Sequence, residues 1–185
     1  KIRQEFDVAG DPAQVWEFFH DVPSVAQCLP GAELHGQRDH GGYHGKLSAR
    51  MGPISMSFDG EATVVFSEDE RIATIEGTGV DSRGGSRGQV KVVCQVEPGV
   101  GTGTHVTVEA DLLLSGAAAQ FGRTGLIDEI SRRLIGDFVT CLEAKIIAQP
   151  DVAATIQAPK PPGFSLLLHS LWAWLKGSGR RKARA

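Results

Sequence analysis

Residues 43–66 read YHGKLSARMGPISMSFDGEATVVF, and their period decides the fold class. In the first half Tyr43, Leu47, Ala49 and Met51 alternate with His44, Lys46, Ser48 and Arg50. In the second half Ile54, Met56, Phe58, Ala62, Val64 and Phe66 alternate with Ser55, Ser57, Asp59, Glu61 and Thr63. Successive side chains of a strand point to opposite faces, so each half is a strand with one apolar and one wet face. Gly52-Pro53 between them is a turn signal. So short a connection joins antiparallel neighbours, because parallel ones need a crossover of a dozen residues or more.

The same period continues downstream. Glu68-Asp69 turns the chain into a strand at 71–78, and the glycine-rich stretch 81–88 is a hairpin connection. Val90, Val92, Cys94 and Val96 then oppose Gln89, Lys91 and Gln95. After a turn at 98–103, Val106, Val108, Ala110 and Leu112 oppose His105, Thr107, Glu109 and Asp111. Upstream, Ile2, Phe6 and Val8 give a strand, and Asp11-Pro12 supplies an N-cap with proline at the first helical position. A helix over 12–20 turns Val15, Trp16, Phe18 and Phe19 inward, and a shorter one from Pro23 stops near Pro30-Gly31. Between 117 and 147 the period becomes helical, with Leu126, Ile127, Ile130, Leu134, Phe138, Cys141, Leu142 and Ile146 on one stripe.

Period two already begins at Ala32, so strand, two helices, six strands and a long helix predict an α+β domain, a curved antiparallel sheet wrapped around its C-terminal helix. One helix face is too narrow to fill so long a sheet, so an apolar cavity is expected. Met51, Met56, Phe58, Val92, Val108, Leu112, Phe121, Leu126 and Ile130 are the lining candidates, each equally suited to a closed core. The inward positions from Tyr43 to Leu112 carry no acid, base or activated nucleophile, which argues against catalysis; Tyr43 is a polar handle.

Net charge is -3, but it is divided unevenly. All 22 acids lie within 1–158, where 13 bases leave a balance of -9; residues 159–185 hold six bases and no acid. The body repels polyanions, while the end attracts an anionic surface. The arginines and glycines of 81–88 resemble an RNA-binding segment, but an acidic body without interleaved aromatics excludes nucleic acid. His35, Asp39, His40 and His44 cluster without the spacing of a metal site, and a surface hairpin is expected there. Cys28, Cys94 and Cys141 are odd in number and scattered without CxxC spacing, which indicates neither a disulfide framework nor a zinc site and points to a cytoplasmic setting.

Five short motifs in order carry a resemblance. They are Cys28-Leu29-Pro30-Gly31-Ala32-Glu33-Leu34, Gly52-Pro53-Ile54, Phe58-Asp59-Gly60, Asp81-Ser82-Arg83-Gly84-Gly85 and Ala119-Gln120-Phe121-Gly122-Arg123. Together they resemble the G-subunit family of carbon monoxide dehydrogenase, within the helix-grip or START-like superfamily. The departure is Thr124 beside Gly125, a one-residue extension before the long helix. The resemblance covers about residues 1–148. It implies a non-enzymatic partner of a molybdenum hydroxylase-type carbon monoxide dehydrogenase that carries a lipophilic ligand. An isoprenoid quinone, with menaquinone favoured, is the expected ligand. A recruitment or assembly factor without a small ligand is the alternative. Arg83 and Arg87, two of few bases on an acidic body, are the candidate docking residues for the dehydrogenase.

Three units are expected: a lipophile-binding domain at 1–149, a Pro-rich linker at 150–163 and a basic amphipathic tail at 164–185. Phe164, Leu167, Leu168, Leu171, Trp172, Trp174 and Leu175 make the tail apolar, and Lys176, Arg180, Arg181, Lys182 and Arg184 follow. A helix over 164–175 would be about 18 Å long against a hydrocarbon core of ~30 Å, so it would lie in the interface rather than cross. The expected place is the inner face of the cell membrane, where each basic residue adds about 1 kcal/mol.

Overall fold

The computed structural model describes residues 1–38, 41–51, 54–82, 85–119, 126–148 and 153–159, without the side chains of 49–51, 54 and 126–128. Strand β1 (Ile2–Val8) leads into helices α1 (Pro12–His20) and α2 (Val22–Cys28). Six strands follow: β2 (Ala32–Gln37), β3 (Gly42–Met51), β4 (Ile54–Ser67), β5 (Ile72–Asp81), β6 (Ser86–Pro98) and β7 (Thr104–Gly116). Helix α3 (Leu126–Ile147) comes last. The seven strands form one antiparallel sheet in the order β1-β7-β6-β5-β4-β3-β2, with the N-terminal strand beside β7. This is the expected helix-grip architecture.

Local chemistry sets the helix boundaries. Asp11 accepts a hydrogen bond from the Ala13 amide at 2.8 Å, and Asp21 accepts one from the Ser24 amide at 3.2 Å, so each short helix has a side-chain cap and a proline in its first turn. Gly31 turns α2 into β2 at φ +82, and a Cβ there would strike the Ser48 carbonyl oxygen.

The solid core occupies one end of the molecule. Val8, Val15, Trp16, Phe19, Ala73, Cys94, Val96 and Val106 pack there against Phe138, Cys141 and Leu142 of α3. Phe138 meets Phe6, Phe18 and Phe19 edge-on or tilted, with ring centroids 6.2–6.4 Å apart. The Trp16 indole donates to Glu68 at 2.9 Å, so its polar edge is satisfied.

Two expectations need correction here. Cys28 and Cys141 are joined in a disulfide between α2 and α3, with their Cα atoms 5.4 Å apart, and only Cys94 is a free thiol. Their separation of 113 residues leaves no local spacing to betray the pair. The stretch 150–163 is also not wholly a spacer. Ile156 packs against the core, and the Ala158 amide donates to the Gln27 carbonyl at 2.9 Å.

Lys145 lies in this same region, 6% exposed, and donates to Gln27 at 2.6 Å and to Ser24 at 3.4 Å. Burial lowers its pKa below the ordinary 10.5, and the Asp21 charge opposes that shift in part. The folded state thus favours the neutral amine more than the unfolded chain does. Stability should rise as pH climbs through the lowered folded value toward 10.5 and should fall again on the way down. Lys145→Met should flatten this slope while staying within about 1 kcal/mol of the parent at neutral pH. Melting temperatures followed from neutral pH to the ordinary lysine value check it; an unchanged slope would assign it to other groups.

Candidate functional site

Strand register builds a cavity at the other end of the sheet. Directly opposed residues share a face, so three rungs can be read across the concave side. One rung runs Leu34, Gly45, Gly60, Gly79, Gly88, Leu114. The next runs Tyr43, Ala62, Gly77, Val90, Leu112, and a third holds Ala32, Leu47 and Phe58. Four adjacent strands therefore place glycine on one rung, and no side chain rises from the middle of that rung. Elsewhere interiors fill to crystal-like density; here the filling atoms are missing. The result is a cavity of about 430 Å³.

Helix α3 divides its labour between the two ends. Its first half brings Ile130, Ser131 and Leu134 over the cavity, and its second half fills the core. Ala26 of α2 and Ile2 of β1 complete the walls. Glu33, Lys46, Glu61, Thr78 and Gln89 border the space but belong to the other parity of their strands, so the inner surface is overwhelmingly apolar. The volume is in the range that holds a small molecule, about 300–1,000 Å³. The cavity is open to solvent, since Leu34, Leu47 and Leu112 line it while 36%, 50% and 37% exposed.

The glycines have different reasons to be there. A Cβ at Gly60 would strike the Thr78 carbonyl oxygen, and one at Gly45 would lie 2.6 Å from that of Glu33. At Gly88 a Cβ would meet only Leu114 at 3.5 Å and Phe58 at 3.8 Å, ordinary contacts. Glycine in a strand costs roughly 0.5–1 kcal/mol relative to alanine, so at Gly88 the bare position is costly without being sterically required.

Of the expected lining residues, Met56, Phe58, Leu112 and Ile130 surround the cavity. Val92 and Val108 have the same parity but stand farther along their strands, packed against the solid core. Met51 and Leu126 are placed by their backbones alone, at the ends of β3 and α3. Phe121 lies outside the described residues, as do Arg83 and all the tail residues from Phe164 to Arg184. The glycine rung was missed, although inward period-2 positions occupied by glycine were its visible signal.

The hairpin at 81–88 is shorter than expected. β5 extends to Asp81 and β6 begins at Ser86, so Arg87 is an exposed strand residue opposite Val80 and Ser115. Asp81 also qualifies the expected absence of inward acids: it opposes Phe58, at the strand end and outside the cavity lining. The Ala117 amide donates to the Gly85 carbonyl at 3.1 Å, and the Ala118 amide to the Ser86 hydroxyl at 3.0 Å. These bonds tie the hairpin to the approach of α3 at the cavity end.

Residues 5–147 match the family of the carbon monoxide dehydrogenase G-subunit (CoxG). No curated protein matches the chain in sequence. Among solved structures, a conserved protein from Geobacillus kaustophilus is 17% identical with a TM-score of 0.67, over 78% of this chain and 93% of that one. The Zhui aromatase/cyclase from Streptomyces sp. R1128 is 12% identical at TM-score 0.57, covering 78% and 92%. A START superfamily protein from Mycobacterium smegmatis is 10% identical at TM-score 0.55, covering 78% and 95%. At these identities the likeness is one of fold.

Proposed function

Because the chain belongs to the carbon monoxide dehydrogenase G-subunit (CoxG) family, we propose that it is a non-enzymatic accessory of that dehydrogenase that carries a lipophilic ligand between membrane and enzyme. The ligand is an isoprenoid quinone, with menaquinone favoured. The observation that carries this reading is the open apolar cavity over the glycine rung. A bare peptide floor between Phe58, Leu47 and Leu112 suits a planar ring, and the open side gives an isoprenoid chain a way out. A recruitment factor without a ligand has no use for such a space and would better suit a solid core under the sheet.

The tail at 164–185 attaches the domain to an anionic membrane. The dehydrogenase docks beside Arg83 and Arg87. An inner-face, cytoplasmic location rests on that partner alone, because the disulfide removes the support drawn from cysteine usage.

Organic extraction of the protein purified from its native source, followed by mass spectrometry, tests the central point. An isoprenoid quinone should be recovered in amounts approaching one per chain, and Leu112→Asp should lower that yield at least roughly tenfold. Recovery of no lipophile from the folded parent protein would refute the carrier.

A further inference from the structure

The cavity contains one uncommitted polar group. Among the described residues turned toward it, only Tyr43 and Ser131 carry a hydroxyl, an amide or a charge, and Ser131 already has a partner. The Tyr43 hydroxyl has no hydrogen-bond partner among the described residues, and it is not sealed from solvent. The floor offers no substitute donor. Gly45, Gly60, Gly79 and Gly88 lie on β3 to β6, each of which is flanked by strands on both sides, so their amides are committed to the ladder.

Register fixes where that hydroxyl stands. Tyr43 opposes Ala62, and Ala62 opposes Gly77, so small residues follow it across two strands of its rung. The next rung beyond, through Ile75 and Val92, already packs against the solid core. Tyr43 therefore marks the core-side end of the open space, and Gly60 is its diagonal neighbour on β4. Diagonal neighbours lie about 7–8 Å apart, within reach of an aromatic side chain. A ring resting on the glycine rung thus has its edge beside the hydroxyl.

Water can satisfy this hydroxyl only while the cavity is empty. A ligand that fills about 430 Å³ of apolar space displaces that water. A hydroxyl then left without a partner costs about 1–3 kcal/mol, while one that meets an acceptor costs nothing of the kind. We infer that Tyr43 is a specificity-determining residue, its hydroxyl donating to a carbonyl oxygen on the ring edge of the bound molecule. The ligand class is a planar ring with an oxygen at its inner edge and an apolar chain leaving over Leu34 and Leu47. Hydrocarbon of the same shape is disfavoured. This inference rests on the carrier reading and adds the orientation of the ligand and the chemistry of its buried end.

The test compares the parent with Tyr43→Phe, which keeps the ring and removes the donor. Two probes are titrated by fluorescence: a 1,4-naphthoquinone bearing one isoprene unit, and the naphthalene with the same substituent. The substitution should weaken the quinone about tenfold and leave the hydrocarbon unchanged or tighter. Infrared spectra of quinone labelled with carbon-13 at one carbonyl and then at the other supply a readout that packing alone does not move. In the parent one carbonyl band should shift to lower frequency and the other should not; in Tyr43→Phe neither should. Equal changes for both probes, or none for either, would overturn the contact and leave the cavity a lipophile site. A carbonyl shift that persists in Tyr43→Phe would overturn it by assigning the donor to another group. A parent protein that binds neither probe would overturn the carrier reading and this inference together.

Discussion

Gly88→Leu should weaken binding of a short-chain menaquinone by roughly 100-fold while leaving the melting temperature equal to or above that of the parent. Gly88 stands on the glycine rung between Gly79 and Leu114, facing the cavity. A Cβ there makes only ordinary contacts, and leucine in a strand relieves the entropic cost of glycine. The added branch then extends into the space beside Phe58, where a ligand ring would lie. Affinity measured by fluorescence titration and stability measured by calorimetry separate the two effects. Gly60→Ala is the contrast, since its Cβ would strike the Thr78 carbonyl oxygen. It should lose about 1–3 kcal/mol of stability before any question of binding arises. Undiminished binding by a folded Gly88→Leu protein would place the ligand off the glycine rung.

Loss of the Cys28–Cys141 bond should cost about 4 kcal/mol, or roughly 10 °C in melting temperature for a chain of this size. The bond closes a long loop, its ends 113 positions apart, and so removes much freedom from the unfolded chain. Cys28 and Cys141 sit in the core, so reductant should act only when the domain opens. Cys94 does not compete for either partner, because burial pushes its thiol up to about 12 and leaves no thiolate at neutral pH. Melts of the Cys28→Ala/Cys141→Ala protein and of the reduced parent should agree with each other and lie below the oxidised parent. Coincident melts with and without reductant would show that the pair is not closed in solution. The bond also joins α2, which bears the cavity rim, to α3, which covers the cavity, so its loss should loosen ligand binding too.

The sequence by itself determined the element order, the antiparallel pairing of consecutive strands and the parity of β3, β4, β6 and β7. Each of these is local: period two names a strand and its inward face, a two-residue turn fixes the neighbour, and Asp11-Pro12 starts a helix wherever the chain goes next. The apolar stripe on α3 was equally legible, because a period of 3.6 needs no partner to be seen. Only the tertiary structure decided how far along each strand the core stops and the cavity begins. Val92 and Phe58 read alike in sequence, yet one packs against the core and the other faces open space, because α3 fills one end and spans the glycine rung at the other. That rung exists only through register, which lines up Gly45, Gly60, Gly79 and Gly88 from four separate strands. The Cys28–Cys141 bond and the return of Ala158 to Gln27 are contacts of the same kind. They join residues more than a hundred positions apart, where no local pattern records the meeting and packing alone brings the partners within reach.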